Sequence, residues 1–167
     1  MHKMTQANLE AAFAGESQAH MRYMAFAERA QRDGFPEVAR MFRAISFAEQ
    51  MHATGHLRTL GGVGKTAENL QEAISGETYE VEEMYPAFHA VAELQQEKAA
   101  ARSDVWAWEA EKIHADLYKQ AKAAVETGKD VTVGPVYVCG VCGWTGVGAP
   151  PDECPLCKAK KEKFVTF

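Results

Sequence analysis

Glutamates occupy positions where a helical chain should be apolar. From Thr5 to about Gly128 the sequence is rich in Ala, Glu, Gln, Met and Lys, and apolar residues recur at steps of three and four. That spacing marks helices with one buried face. The stripe that begins at Leu9 and Phe13 runs on to Glu16, His20 and Tyr23, and the stripe Val38, Phe42, Ile45 runs on to Glu49, His52 and His56. Val105 and Trp108 lead to Glu111, His114 and Tyr118, while a further stripe takes in Glu80, Glu83 and Ala87. Withdrawing an ionised carboxylate from water costs several kcal/mol unless a cation meets it. Five such glutamates in one core would also repel one another, and these faces hold too few Lys or Arg to neutralise them. Metal cations are the natural compensation.

The pattern of donors sharpens that expectation. Glu49-Gln50-Met51-His52 and Glu111-Lys112-Ile113-His114 each place an imidazole one helical turn after a carboxylate, and Glu16 and Glu80 come from the other two helices. This is the donor set of carboxylate di-metal helix bundles, and carboxylate with imidazole suits iron or manganese. A lone Glu-x-x-His is usually an exposed polar pair, but two on apolar stripes with two further glutamates in register predict a di-metal site. His20 and His56 are expected to lie outside the ligand set, and Tyr23 either to hydrogen-bond a ligand or to pack. Trp106 and Trp108 read as core or interface aromatics, and Glu77 and Glu82 as solvent-facing.

Punctuation divides the 167 residues. Asp33-Gly34-Phe35-Pro36 closes one helix and opens the next, and Gly61-Gly62-Val63-Gly64-Lys65 makes a second break. Ordinary helix length alone argues for a third break near Gln95 to Lys98. Helices are therefore expected at about 5–32, 37–60, 66–95 and 98–127. Beyond Gly128 the sequence turns β-branched and rich in turn residues, which places a boundary at Thr127 to Asp130 and domains at 1–129 and 130–167. All four cysteines, Cys139, Cys142, Cys154 and Cys157, lie in the second domain as two C-x-x-C pairs. They predict one four-sulfur metal site rather than disulfides, and tetrahedral zinc and a single iron both suit it. The net charge of −5 argues against nucleic acid as a partner. No apolar run approaches the ~20 residues of a membrane helix, and the first residues lack a secretory h-region. A cytoplasmic protein is expected.

These residues together resemble the rubrerythrin family. The resemblance rests on Ala12-Phe13-Ala14-Gly15-Glu16-Ser17-Gln18-Ala19, Glu49-x-x-His52, Glu80-x-x-Glu83-Met84-Tyr85-Pro86, Glu111-x-x-His114 and the C-terminal cysteine pairs, and it covers about Met4 to Phe164. It implies an all-α four-helix ferritin-like bundle with a small C-terminal β/loop rubredoxin-like metal domain. By the same resemblance, Glu49 and Glu111 bridge two irons, and Glu16 binds one of them, with Glu83 and His52 exchanging on that metal according to its oxidation state. Glu80 and His114 bind the other iron, and the four cysteines hold one iron, with zinc as the alternative occupant. The implied activity is reduction of hydrogen peroxide to water, with electrons from NAD(P)H through a separate reductase or rubredoxin. Lys158 departs from the family pattern, since that position of the second knuckle often holds glycine.

Two other readings remain open on the residues. One is a ferroxidase or iron-handling protein on the same bundle, which the cysteine module disfavours. The other is a zinc-ribbon interaction protein, which the in-register glutamates disfavour. Chain reach also predicts a homodimer exchanged between helices two and three. If those helices run parallel within one chain, the return is roughly 37 Å at ~1.5 Å per helical residue. Gly61 to Lys65 spans at most about 18 Å when extended at ~3.3–3.6 Å per residue.

Overall fold

The computed structural model describes residues 1–167, which divide into two compact units, 1–64 and 65–167. The first unit is a hairpin of α1 (Lys3–Arg32) and α2 (Pro36–Thr59). Gly34, at φ +85°, turns the chain in the left-handed region, and the Phe35 amide donates to the Ala30 carbonyl at 2.9 Å. Pro36 then starts α2, where its missing N–H costs nothing. The buried seam contains only small residues, Ala27, Ala30, Ala39, Ser46 and Ala53, which lets the helices approach closely. Phe42 packs edge-on against Phe26, with ring centroids 5.6 Å apart, and lies 6.0 Å from Tyr23. Larger apolar side chains stay in water, Phe47 at 60% and Phe26 at 47% exposure.

The second unit begins with α3 (Thr66–Tyr79), a π-helical turn (Glu80–Met84) and α4 (Tyr85–Leu94), followed by α5 (Lys98–Glu126). The helix expected over 66–95 is thus one rod interrupted by a π turn. A π turn breaks the i→i+4 ladder, and beside it the Trp108 indole N–H donates to the Val81 carbonyl at 2.9 Å. The turn between α4 and α5 falls where length required it, at Gln96, which adopts φ +59° without being glycine. The Glu97 amide closes that turn onto the Ala92 carbonyl at 2.9 Å. Here too, large apolar residues of α4 remain exposed, Phe88 and Val91 each by about half.

The remainder of this unit is a three-stranded antiparallel sheet in the order β2-β1-β3, from β1 (Val136–Cys139), β2 (Thr145–Val147) and β3 (Phe164–Thr166). Residues 131–135 lie outside the first strand. Tyr137 is the buried centre, packed edge-on against Phe164 at 5.3 Å and tilted against Trp144 at 5.9 Å. Val138 pairs with Thr145 of β2, and β2 packs against α5. The division of the chain at Gly64 and Lys65 falls inside the residues expected to form one bundle, and it keeps the cysteine-bearing sheet with α3 to α5. No helix is long and apolar enough to cross a membrane.

Candidate metal centres

The first unit carries one cluster of donors. Glu16 of α1 and Glu49 and His52 of α2 bring ligand atoms within 4.8 Å of one another. His52 Nδ1 lies 2.9 Å from Glu49 Oε2, the i,i+3 geometry foreseen from the sequence. Hydrogen bonds from His52, then from Glu16, hold the Glu49 carboxyl below its ordinary range. His20 is not in the cluster. Its Nδ1 lies 2.9 Å from both the carbonyl and the hydroxyl oxygens of the fully buried Ser46, whose hydroxyl donates to the His20 carbonyl. That ring ties α1 to α2. His56 likewise lies outside the cluster.

The second unit carries the matching group, with one substitution of residue. Glu77 of α3 and Glu111 and His114 of α5 bring ligand atoms within 4.8 Å of one another. His114 Nδ1 lies 2.5 Å from Glu111 Oε2 and 4.0 Å from Glu77 Oε1. Glu77, expected to face solvent, instead has a side chain only 18% exposed. Burial, a hydrogen bond with Glu111 and the charge of Glu111 together push its carboxyl up to about 7. Burial and then the Glu77 charge raise Glu80, which places it beside the same cluster. Burial also raises Glu111, against the lowering effect of the Glu77 hydrogen bond. Glu83 is exposed and belongs to no such cluster. The reason is the π turn. Counting by threes and fours from Glu80 crosses Glu80–Met84, where the extra residue in the turn rotates Glu83 off the stripe. Counting backwards from Glu80 along regular α3 finds Glu77.

Tyr85 was not singled out from the sequence. Burial raises its phenol above the usual value, and so do the charges of Glu80, Glu111, Asp104 and Glu77. It therefore retains a proton beside the carboxylates. Glu77 and Glu111 in the cluster and Glu80 beside it all resist ionisation, so this is a site that a multivalent cation would complete.

The cysteines form the third cluster, all four sulfurs within 4.8 Å and none in a disulfide. Cys139 Sγ and Cys157 Sγ are 3.6 Å apart, as are those of Cys142 and Cys154. A tetrahedron with ~2.3 Å metal–sulfur bonds has edges of about 3.8 Å, so the cage fits such an ion. The Gly143 amide donates to the Cys139 carbonyl at 2.9 Å, and the Lys158 amide to the Cys154 carbonyl at 3.0 Å. The two knuckles are thus alike, and Gly143 at φ +79° corresponds to Lys158 at φ +64°. Lys158 holds a left-handed conformation that favours glycine, and its Nζ donates to the Pro155 carbonyl at 2.8 Å. Burial pushes the Cys142 thiol far up. It also opposes ionisation of Cys154, where amides of Cys157 and Leu156 outweigh it and lower the thiol. Four thiolates together therefore require a cation.

One contact joins the clusters of the second unit. His114 Nε2 lies 2.7 Å from the hydroxyl of Thr145 on β2, and that hydroxyl donates to the Gly143 carbonyl at 3.0 Å.

Helical carboxylate–imidazole clusters followed by a four-cysteine domain define a class of non-haem metal proteins. Residues 7–122 match the rubrerythrin family, and residues 137–165 match the rubrerythrin rubredoxin-like domain. Rubrerythrin-2 of Clostridium acetobutylicum is 41% identical over 98% of this chain and 97% of its own length. Nigerythrin of Nitratidesulfovibrio vulgaris is 30% identical over 98% of this chain and 86% of its own. A solved structure of fully reduced, all-ferrous nigerythrin aligns with a TM-score of 0.56 at 29% identity, covering 98% of this chain and 86% of that one. The chain belongs to the rubrerythrin family, with its di-iron carboxylate site and its rubredoxin-like four-cysteine site.

The two glutamates that differ between sequence pattern and structure are separable. Glu77→Ala should lower ferrous binding at the carboxylate site at least tenfold, whereas Glu83→Ala should leave it within about twofold, measured by anaerobic Fe(II) titration. Equal losses would mean that Glu83 shares the site.

Glu77 also predicts a pH dependence for the protein with its cysteine site filled and its carboxylate site stripped. Its folded value of about 7 exceeds the ordinary 4.5, so the folded state binds more protons between those limits. The stability it contributes is complete below pH 4.5 and is lost as pH rises through 7. In urea unfolding, Glu77→Gln should therefore gain stability relative to the parent across that window. A difference that stays constant with pH would contradict the assignment.

Proposed function

We propose that this chain is a peroxidase that reduces hydrogen peroxide to water at a di-iron carboxylate site, with single electrons relayed through the four-cysteine iron. The observation that carries this reading is the presence of a carboxylate–imidazole cluster and a four-thiolate cage in one compact unit, residues 65–167. Bound iron would supply the two electrons that O–O cleavage needs, and the cysteine iron would restore them one at a time. The chain's own residues do the rest. Glu16, Glu49, His52, Glu77, Glu80, Glu111 and His114 would hold the pair, with Glu77 joining Glu80 beside His114 and Glu83 taking no part. Cys139, Cys142, Cys154 and Cys157 hold the single iron. Tyr85 keeps a proton beside the carboxylates, where cleavage of the O–O bond consumes two. NAD(P)H, through a reductase or rubredoxin, is the proposed electron source, residues 1–129 are the bundle, and 130–167 form the electron-transfer domain of a cytoplasmic enzyme.

The working unit in this reading is a homodimer exchanged between α2 and α3. Each unit has one half of the donor set and an apolar surface that its own helices leave exposed, with Phe47 in the first and Phe88 in the second. The observed helix ends support exchange. From Glu49 to the end of α2 is about 15 Å, and from the start of α3 to Glu77 about 17 Å, at ~1.5 Å per residue. An intrachain parallel pairing would need to recross about 32 Å. The connection from Thr59 to Thr66 reaches at most about 25 Å at ~3.3–3.6 Å per residue. Each complete site would then hold Glu16, Glu49 and His52 of one copy with Glu77, Glu80, Glu111 and His114 of the other.

Zinc in the cysteine site, with iron kept in the carboxylate site, tests the relay without disturbing the fold, since zinc has no redox change. Oxidation of the ferrous protein by one equivalent of peroxide should proceed normally, and steady-state turnover should fall at least a hundredfold. Persistent turnover would refute the relay. Co-refolding Glu49→Ala with Glu111→Ala subunits tests exchange. An exchanged heterodimer places both defects in one site and leaves the other intact, so about half of the di-iron binding should return. Verified heterodimers without rescue would rule out the exchange.

A further inference from the structure

Thr145 sits on the rubredoxin-like domain, not on the helices, and yet its hydroxyl is the partner of a candidate iron ligand 31 residues away. It is only 4% exposed, and its backbone is fixed by pairing with Val138 of β1. A threonine hydroxyl has one proton to give. That proton goes to the Gly143 carbonyl at 3.0 Å, so the hydroxyl oxygen accepts from His114, whose Nε2 lies 2.7 Å away. The proton of the neutral ring is thereby assigned to Nε2. Nδ1 then accepts, and the proton in its 2.5 Å contact with Glu111 Oε2 is the carboxyl's, so the lone pair that a metal would take in place of that proton faces the cluster.

We propose that Thr145 is a positioning residue for the di-iron site, fixing His114 as the Nε2–H tautomer so that Nδ1 is free to bind iron. The hydrogen-bonded line runs from His114 through Thr145 to the carbonyl of Gly143, the residue that follows the cysteine-site donor Cys142. The rubredoxin-like domain thus orients a ligand of the carboxylate site in addition to carrying electrons to it. Orienting partners of ligating histidines are typically worth about 10–100-fold in metal affinity. The inference rests on the proposal that His114 is an iron ligand, but not on peroxide being the substrate.

The test uses the full chain. With diamagnetic Zn(II) in both sites, ring 15N spectra of the unmutated protein should show His114 with a slowly exchanging proton on Nε2 and metal-shifted Nδ1. A proton on Nδ1, or a metal-shifted Nε2, would overturn the proposal without any variant. In anaerobic Fe(II) titrations, Thr145→Val should weaken carboxylate-site binding about 10–100-fold, and Thr145→Ser should restore it to within about twofold. The ferric–thiolate absorption of the cysteine site should be unchanged in both, which reports that the domain remains folded. Unchanged ferrous affinity in Thr145→Val with that absorption intact would reject the role of Thr145, whatever the outcome with peroxide.

Discussion

Carboxylates brought together out of water dominate this chain. The helical segments that carry Glu77, Glu80 and Glu111 present these residues on faces that otherwise pack, where burial and mutual repulsion oppose their ionisation. The strain is shared out by hydrogen bonds, between His52 and Glu49 in one unit, and between Glu111 and both His114 and Glu77 in the other. A bound cation would relieve it further by pairing with the carboxylates. The small-residue seam of α1 and α2, with Ala39 and Ser46 fully buried, has the complementary role of holding the donor-bearing helices close.

The cysteine cage answers a similar constraint with softer donors. Its two knuckles share the same amide-to-carbonyl closure, and each needs a left-handed residue after the second cysteine, glycine in one and lysine in the other. Lys158 accepts that backbone while its ammonium group meets the Pro155 carbonyl. Burial disfavours the thiolate of Cys142, while amides assist that of Cys154, so the cage holds its charge through an ion rather than alone.

The two chemistries meet through side chains rather than through a shared ligand. β2 reaches α5 at Thr145, and Trp108 of α5 reaches the interrupted helix at Val81. Both contacts converge on the stretch of α5 that carries Glu111 and His114. This helix is therefore the common support of the carboxylate cluster, the π turn and the rubredoxin-like sheet.

The sequence by itself determined everything governed by local periodicity. Glu49 with His52, Glu111 with His114, and the two C-x-x-C knuckles are set by one turn of backbone, so spacing alone identifies them. The ends of α1 and α2 were legible because glycine and proline mark them. The turn at Gln96 had no such marker, since an ordinary residue took the left-handed position there. Only the tertiary structure decided which glutamates of the third helical segment join the site. A π turn leaves no signature in residue spacing, and it turned Glu83 to solvent, while Glu77, three residues before Glu80 on regular α3, lies in the cluster. The contact of Thr145 with His114 was likewise beyond the sequence. A hydrogen bond between a strand and a helix depends on how the two pack, and no periodicity along the chain encodes that distance.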